Sequence, residues 1–140
     1  MGCCLSINSE LENATFQNTP NEIYHFDRAK VVKVIDGDTF WIAGNHNGTI
    51  TKFKMRLYGC DCPEIKTEEG KEVKNYVKSL LEDRIVSVSI LNNKIYNGKK
   101  ITEKYGRLIG FLFIKKLNLT DHLIERKKAV PYFGGTKSIS

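Results

Sequence analysis

The stretch around which this chain is organised begins with Ile35-Asp36-Gly37-Asp38-Thr39 and ends with Arg56-Leu57-Tyr58-Gly59-Cys60-Asp61-Cys62-Pro63-Glu64. Between these two acidic segments, residues 51–58 alternate apolar with polar side chains, which is the period of a half-buried strand. Arg56 therefore falls on the face of this strand opposite the core residues, where it can reach a ligand.

The two acidic segments predict a metal ion that faces a phosphate. Hard divalent cations such as Ca²⁺ prefer oxygen ligands, and Asp38 and Asp61 supply two carboxylates from neighbouring turns. Arg56 and Arg107 can hold a phosphodiester through forked, bidentate hydrogen bonds that a lysine cannot form. Glu64 is then left to handle a water molecule.

The rest of the chain predicts a small barrel. Strand patterns occupy residues 31–35, 39–43, 51–58, 84–91 and 107–114. Helical spacing covers residues 71–81, with Thr67 as the N-cap, and residues 119–129, where Pro131 ends the helix. Residues 92–100 form a polar, lysine-rich loop around Tyr96. Basic residues interleaved with an aromatic residue suit a nucleic-acid groove, with a solvated loop as the alternative. Five strands with a helix after the third and another after the fifth predict an α+β, mainly β, OB-fold barrel with two helices packed on it.

The charge is unevenly distributed. The net charge is +6 over 140 residues, but residues 1–27 contain four acidic residues and no Lys or Arg. We therefore predict a flexible N-terminal tether over residues 1–27 and one basic domain over residues 28–140, with packing of Ile23, Tyr24 and Phe26 on the domain edge as the alternative for the tether. A basic domain suits a polyanion such as nucleic acid or an anionic membrane.

The N-terminus matches an acylation pattern. Gly2 and Ser6 fit N-myristoylation, and Cys3 and Cys4 beside them are candidate palmitoylation sites. One myristoyl chain binds membranes only marginally, so the cysteines would supply the second signal. We expect an intracellular, membrane-associated protein if the source is eukaryotic or a virus of eukaryotes, and a cytoplasmic one otherwise.

The four cysteines do not form a secreted disulfide framework. They fall in the pairs Cys3-Cys4 and Cys60-x-Cys62, and we expect reduced thiols. A zinc site at Cys60 and Cys62 is an alternative, but the second pair of ligands that structural zinc requires is missing.

Three short blocks, in this order, resemble the signature of the staphylococcal-nuclease (thermonuclease) family. They are Ile35-Asp36-Gly37-Asp38-Thr39, Arg56-Leu57 with Asp61-x-Pro63-Glu64, and Lys104-Tyr105-Gly106-Arg107. The resemblance covers roughly residues 30–132. It implies an endonuclease that hydrolyses DNA and RNA and leaves 3′-phosphate ends.

The resemblance also assigns roles to residues. It implies that Asp38, Asp61 and the backbone carbonyl of Cys62 bind one Ca²⁺ ion, that Glu64 assists the attacking water, and that Arg56 and Arg107 bind the phosphate. Lys104 and Tyr105 become candidates for the terminal phosphate and Tyr132 for stacking on a base. No protein partner is implied, and we expect a monomer.

Two departures from the family pattern stand out. Cys62 replaces a threonine, and we expect its thiol to be exposed and to make activity sensitive to oxidation. The family's third helix has no counterpart in the sequence, which bears on stability and substrate grip more than on chemistry. The alternatives are an OB-type module that binds nucleic acid without cutting it, and an acylated membrane adaptor that binds anionic lipid.

Overall fold

A computed structural model describes residues 10–15 and 26–133 of the chain. Residues 10–12 are helical. The strands are β1 (Arg28–Asp36), β2 (Thr39–His46), β3 (Thr49–Leu57), β4 (Gly59–Asp61), β5 (Ile85–Ile90), β6 (Ile95–Tyr96), β7 (Lys99–Lys100), β8 (Leu108–Ile114), β9 (Leu117–Asn118) and β10 (Val130–Tyr132). The two longer helices are α1 (Glu68–Leu81) and α2 (Leu119–Glu125).

Five of the strands close into a barrel. The sheet runs in the order β3-β2-β1-β5-β8-β9, and β3 also pairs with β8, so that β1, β2, β3, β8 and β5 form a ring. The β3–β8 pairing is parallel, with Arg56 opposite Ile109, and the other pairings in the ring are antiparallel. This is the OB-like α+β architecture that the sequence predicts.

Alternation of side chains produces the core. In β5, Val86, Val88 and Ile90 are buried while the residues between them are exposed. The same alternation in β3 buries Met55 and Leu57 and leaves Arg56 on the other face, as predicted. The two faces of a barrel strand lie in different environments, so the polar face of β3 is available for a site.

Helix α1 begins as the sequence predicts. The Oγ1 atom of Thr67 accepts a hydrogen bond from the Gly70 N–H (2.9 Å), and Val73, Val77 and Leu81 are buried. The helix packs on β1. A Cβ atom at Gly37 would lie 2.6 Å from Val73 Cγ1, so any larger residue in the turn before Asp38 would displace the buried Val73 side chain of this helix.

The predicted end of the second helix is wrong. Helix α2 ends at Glu125, with Arg126 as C-cap, and Lys127 takes a positive φ of 58°. Pro131 therefore does not stop the helix but lies in β10, where it pairs with Cys60 of β4. Ala129 is buried although it lies beyond the end of the helix. The apolar pattern therefore extends past the last helical residue.

Two other regions differ from the prediction. Residues 92–100 are not simply a loop, because β6 and β7 pair as a small antiparallel hairpin. Phe26, which lies in the predicted tether, is buried and stacks on Phe53 with ring centroids 5.5 Å apart. This contact favours the alternative of packing at the domain edge for Phe26, whereas Ile23 and Tyr24 lie outside the described residues.

The proposed acylation sites also lie outside the described residues. Nothing in the structure bears on Gly2, Cys3 or Cys4, and the anchor stays a prediction. Within residues 10–15 and 26–133, neither α1 nor α2 nor the short N-terminal turn has the length and apolar character needed to span a bilayer.

Candidate active site

Arg56 joins the two aspartates that the sequence singles out. Its Nη1 atom lies 3.3 Å from Asp38 Oδ2, and its Nη2 atom lies 3.3 Å from Asp61 Oδ1. Nη1 also donates to the carbonyl oxygens of Leu57 and Cys60, each at 2.9 Å. One guanidinium thereby holds the end of β3, the start of β4 and the turn before β2 in one arrangement.

Asp38 is the most enclosed of these acids. Its Oδ2 atom accepts a hydrogen bond from the Cys62 N–H (2.8 Å), and its Oδ1 atom accepts one from Thr39 Oγ1 (3.1 Å). Burial, together with the neighbouring Asp36 carboxylate, raises the pKa of Asp38 to about 6, although Arg56 opposes the shift. A nearby cation would stabilise the ionised form of this buried carboxylate.

The donor set fits a hard cation with oxygen ligands. Asp38 and Asp61 carry the oxygen donors that such a cation prefers, and each lies 3.3 Å from a nitrogen of the Arg56 guanidinium. In the parts of the chain that the structure describes, no group of three or more His, Cys, Asp or Glu side chains forms a metal site. An ion would therefore take two carboxylates from the protein and complete its shell with carbonyl, water or phosphate oxygens.

The prediction of an exposed Cys62 thiol is wrong. Cys62 is only 6% exposed, Cys60 is fully buried, and both are free thiols in the hydrophobic core. The hydrogen bond between the two thiols and burial raise the pKa of Cys62. Because the thiolate is the reactive form, Cys62 is a poor target for oxidation or for zinc.

Glu64 lies two residues after Cys62 and is exposed. Its side chain is 62% exposed and its Oε2 atom lies 3.6 Å from Lys66 Nζ. The backbone is better fixed, because the Glu64 carbonyl accepts hydrogen bonds from Thr67 Oγ1 (2.7 Å) and the Thr67 N–H (3.0 Å). Gly70 packs so closely on this carbonyl that no side chain fits there. Helix α1 therefore positions the main chain of Glu64 while its carboxylate reaches solvent.

Arg107 has its own carboxylate partner. Glu103 Oε1 accepts hydrogen bonds from Arg107 Nη2 (2.8 Å) and Nε (3.0 Å), and Glu103 Oε2 accepts two from the backbone N–H groups of Tyr105 and Arg107 (2.8 Å each). The Glu103 side chain is only 4% exposed. Burial would raise the pKa of Glu103, but the hydrogen bonds from Arg107 and from the backbone outweigh it and lower the pKa.

Both arginines line one cleft of about 480 Å³. The cleft also contains the three predicted substrate-binding residues, Lys104, Tyr105 and Tyr132. Its remaining lining residues are Leu57, Tyr58, Gly59, Lys99, Lys100, Ile101, Thr102, Glu103, Ile109 and Phe133. Five basic side chains against one acidic side chain make this cleft suited to an anion.

Comparison with known proteins points to nucleases. Endonuclease Htp3 of Saprolegnia parasitica is 32% identical to this chain, over 66% of the chain and 54% of Htp3. An uncharacterized endonuclease of Escherichia coli O157:H7 is 27% identical, over 60% of the chain and 46% of that protein. The chain is similar to endonucleases.

The similarity covers only part of each relative. A third relative, the uncharacterized protein MJ1439 of Methanocaldococcus jannaschii, is 31% identical over 64% of the chain and 49% of its own length. The chain thus spans about half the length of the curated relatives it matches. No protein-family model matches it.

The structure of this endonuclease-like chain brings most of the predicted residues together. Asp38, Arg56 and Asp61 form one cluster, and Arg56 and Arg107 share one cleft. Asp38, Asp61 and Glu64 do not line this cleft, and the Glu64 carboxylate pairs with Lys66.

Sequence analysis missed one part of this candidate site and assigned the wrong secondary structure to another. Glu103, which binds Arg107, precedes it by four residues in the same loop. The pairing could have been inferred from this spacing. Lys99 and Lys100 were assigned to a polar loop, although Asn97-Gly98 is a hairpin signal that would have placed them on a strand.

Proposed function

We propose that this chain is a Ca²⁺-dependent nuclease of the staphylococcal-nuclease type that hydrolyses phosphodiester bonds of DNA and RNA within the strand and leaves 3′-phosphate ends. One observation carries this proposal. Arg56 bridges the carboxylates of Asp38 and Asp61, and its side chain lines a basic cleft together with Arg107. The resemblance to endonucleases over more than half of the chain supports the same reaction class.

The two arginines would act on the phosphate. Hydrolysis adds negative charge to the phosphoryl oxygens as water attacks, and fixed guanidinium groups stabilise that charge most in the transition state. Arg107 is held by Glu103 and Arg56 by two aspartates, so neither side chain has to be ordered when substrate arrives. Their contribution should therefore fall on kcat more than on KM.

Asp38, Asp61 and the carbonyl of Cys62 would hold the Ca²⁺ ion. When bound, the ion would polarise the phosphoryl group and offset its negative charge. Glu64 would accept a proton from the attacking water or orient that water, since its carboxylate is exposed to solvent. Lys104 and Tyr105 would contact a terminal phosphate, and Tyr132 would stack on a base.

The test is cleavage of single-stranded DNA and of RNA by the purified chain, with Ca²⁺ or with a chelator. We expect cleavage with Ca²⁺, none with chelator, and a rate lowered by about a hundredfold or more in Glu64→Gln. The matched control is Glu125→Gln, an exposed acid at the end of α2 that does not line the cleft. Products that become extendable by a polymerase only after phosphatase treatment would identify 3′-phosphate ends.

Two outcomes contradict the proposal. Equal cleavage with Ca²⁺ and with chelator would remove the metal assignment. Binding of nucleic acid without cleavage under any condition would make the chain a binding module instead.

We also propose that the chain associates with membranes through acylation of Gly2, Cys3 and Cys4. The support is the sequence pattern alone. Membrane fractionation of Gly2→Ala against the parent chain tests it, and unchanged partition would contradict it.

A further inference from the structure

The β6–β7 hairpin is a paired turn rather than an unpaired loop. Asn97 and Gly98 at its tip both have positive φ, 51° and 77°, as a type I′ turn requires. Ile95 pairs with Lys100 and Tyr96 pairs with Lys99. The register of the hairpin therefore fixes which face each lysine occupies.

Aromatic packing fastens the hairpin to the barrel. Tyr96 contacts the edges of Tyr58 and Phe111, with ring centroids 5.7 Å and 5.4 Å away. Ile101, which follows β7, is 3% exposed and packs with Tyr58 and Leu91. The two lysines that precede Ile101 are thus held at a set position relative to the cleft.

The charges of Lys99 and Lys100 are not offset by acids. Both side chains are exposed and both line the cleft with Arg56 and Arg107. Lys99 Nζ donates to the carbonyl of Phe133 (3.2 Å), and no ion pair recorded among residues 10–15 and 26–133 includes either lysine. Glu103, the acid in the cleft, already binds Arg107 and two backbone N–H groups.

We infer that the β6–β7 hairpin is a second phosphate-binding subsite, in which Lys99 and Lys100 hold the backbone of a single-stranded nucleic acid that extends beyond the phosphate at the arginines. The inference rests on the proposed function for the identity of the ligand. Exposed aromatic rings in the same cleft, Tyr105 at 79% and Phe133 at 56%, favour a single strand, because only unpaired bases can stack on them.

The test measures binding without cleavage. Fluorescence anisotropy in chelator, with a single-stranded DNA of about 12 nucleotides, which one OB fold can cover, compares the parent with Lys99→Ala/Lys100→Ala. The matched control is Lys115→Ala/Lys116→Ala, which removes the same charge from exposed positions between β8 and β9 outside the cleft. All four positions are exposed, so circular dichroism should confirm that both variants fold.

We expect the hairpin variant to bind about tenfold more weakly and the control to bind like the parent. The slope of log affinity against log salt should become shallower by about 1.4, because each phosphate contact on a single strand contributes about 0.7. A duplex of the same sequence should respond less to the hairpin substitutions than the single strand does.

The outcomes separate this inference from the proposed function. Equal affinity and equal salt slope for the hairpin and control variants would overturn the subsite, even if the parent cleaves. A salt slope that changes only in the hairpin variant, in a chain that never cleaves, would support the subsite and overturn the nuclease assignment.

Discussion

Arg56 and Arg107 line the same cleft, but they are held in different ways. Arg56 contacts two aspartates and two backbone carbonyls that come from separate turns of the chain. Arg107 contacts one glutamate from its own loop. The first arrangement ties distant segments together, whereas the second organises one loop. We therefore expect Arg56 to matter for both stability and reaction, and Arg107 mainly for reaction.

The largest effect should come from Arg56→Ala. It leaves Asp38 and Asp61, whose side chains are only 9% and 16% exposed, without their shared cation, which should lower the free energy of unfolding by about 3 kcal/mol. Cleavage should fall by about a hundredfold or more. Urea unfolding and initial rates measure the two effects, with the exposed Arg84→Ala as control. An unchanged unfolding free energy would mean that the cluster contributes nothing to the fold.

Arg107→Ala should separate reaction from stability. Cleavage should again fall by about a hundredfold. The unfolding free energy should fall by only about 1–2 kcal/mol, because Glu103 keeps its two backbone N–H donors. The same unfolding and rate measurements apply. A loss of stability as large as that of Arg56→Ala would erase the distinction between the two arginines.

Glu103→Gln should have a smaller effect on cleavage, about tenfold, because Arg107 remains but is no longer held by a charge. Its effect on stability should depend on pH. The pKa of Glu103 lies below its ordinary 4.5 in the folded chain, so its stabilisation is present above pH 4.5 and is lost as the pH falls through the folded pKa. The parent and the variant should therefore differ in unfolding free energy at pH 7 and converge in acid. A difference that does not depend on pH would contradict this account.

The smallest effect should come from a contact outside both arginine clusters. Tyr76 on α1 and His122 on α2 are joined through Tyr76 Oη and His122 Nε2 at 2.6 Å, and their rings are stacked. Tyr76→Phe should lower the unfolding free energy by about 1 kcal/mol and leave cleavage unchanged. A marked loss of cleavage would mean that packing between the helices reaches the site.

The barrel was predictable because its signals are local. Alternation in residues 51–58 and 84–91 and the cap at Thr67 each depend on a few neighbouring residues. The pairing of β10 with β4 is a long-range contact. It was missed because a proline in this position commonly ends a helix, which is what the local sequence predicts.

The candidate site divides in the same way. Asp38, Arg56 and Asp61 were chosen for their chemistry, but the sharing of Arg56 between the two acids depends on how three turns meet. The burial of Cys62 depends on contact with Gly37 and with the core, which no pattern around residue 62 reveals.

The parallel pairing that closes the barrel has a consequence for when the site exists. Arg56 lies on β3 and Arg107 immediately precedes β8, so their separation is set only when these two strands join. Residues Asp38 to Asp61 leave the ribosome well before Arg107 does. A nascent chain in which β8 has not yet joined β3 therefore has no assembled cleft, and on the proposed function it should not cleave nucleic acid.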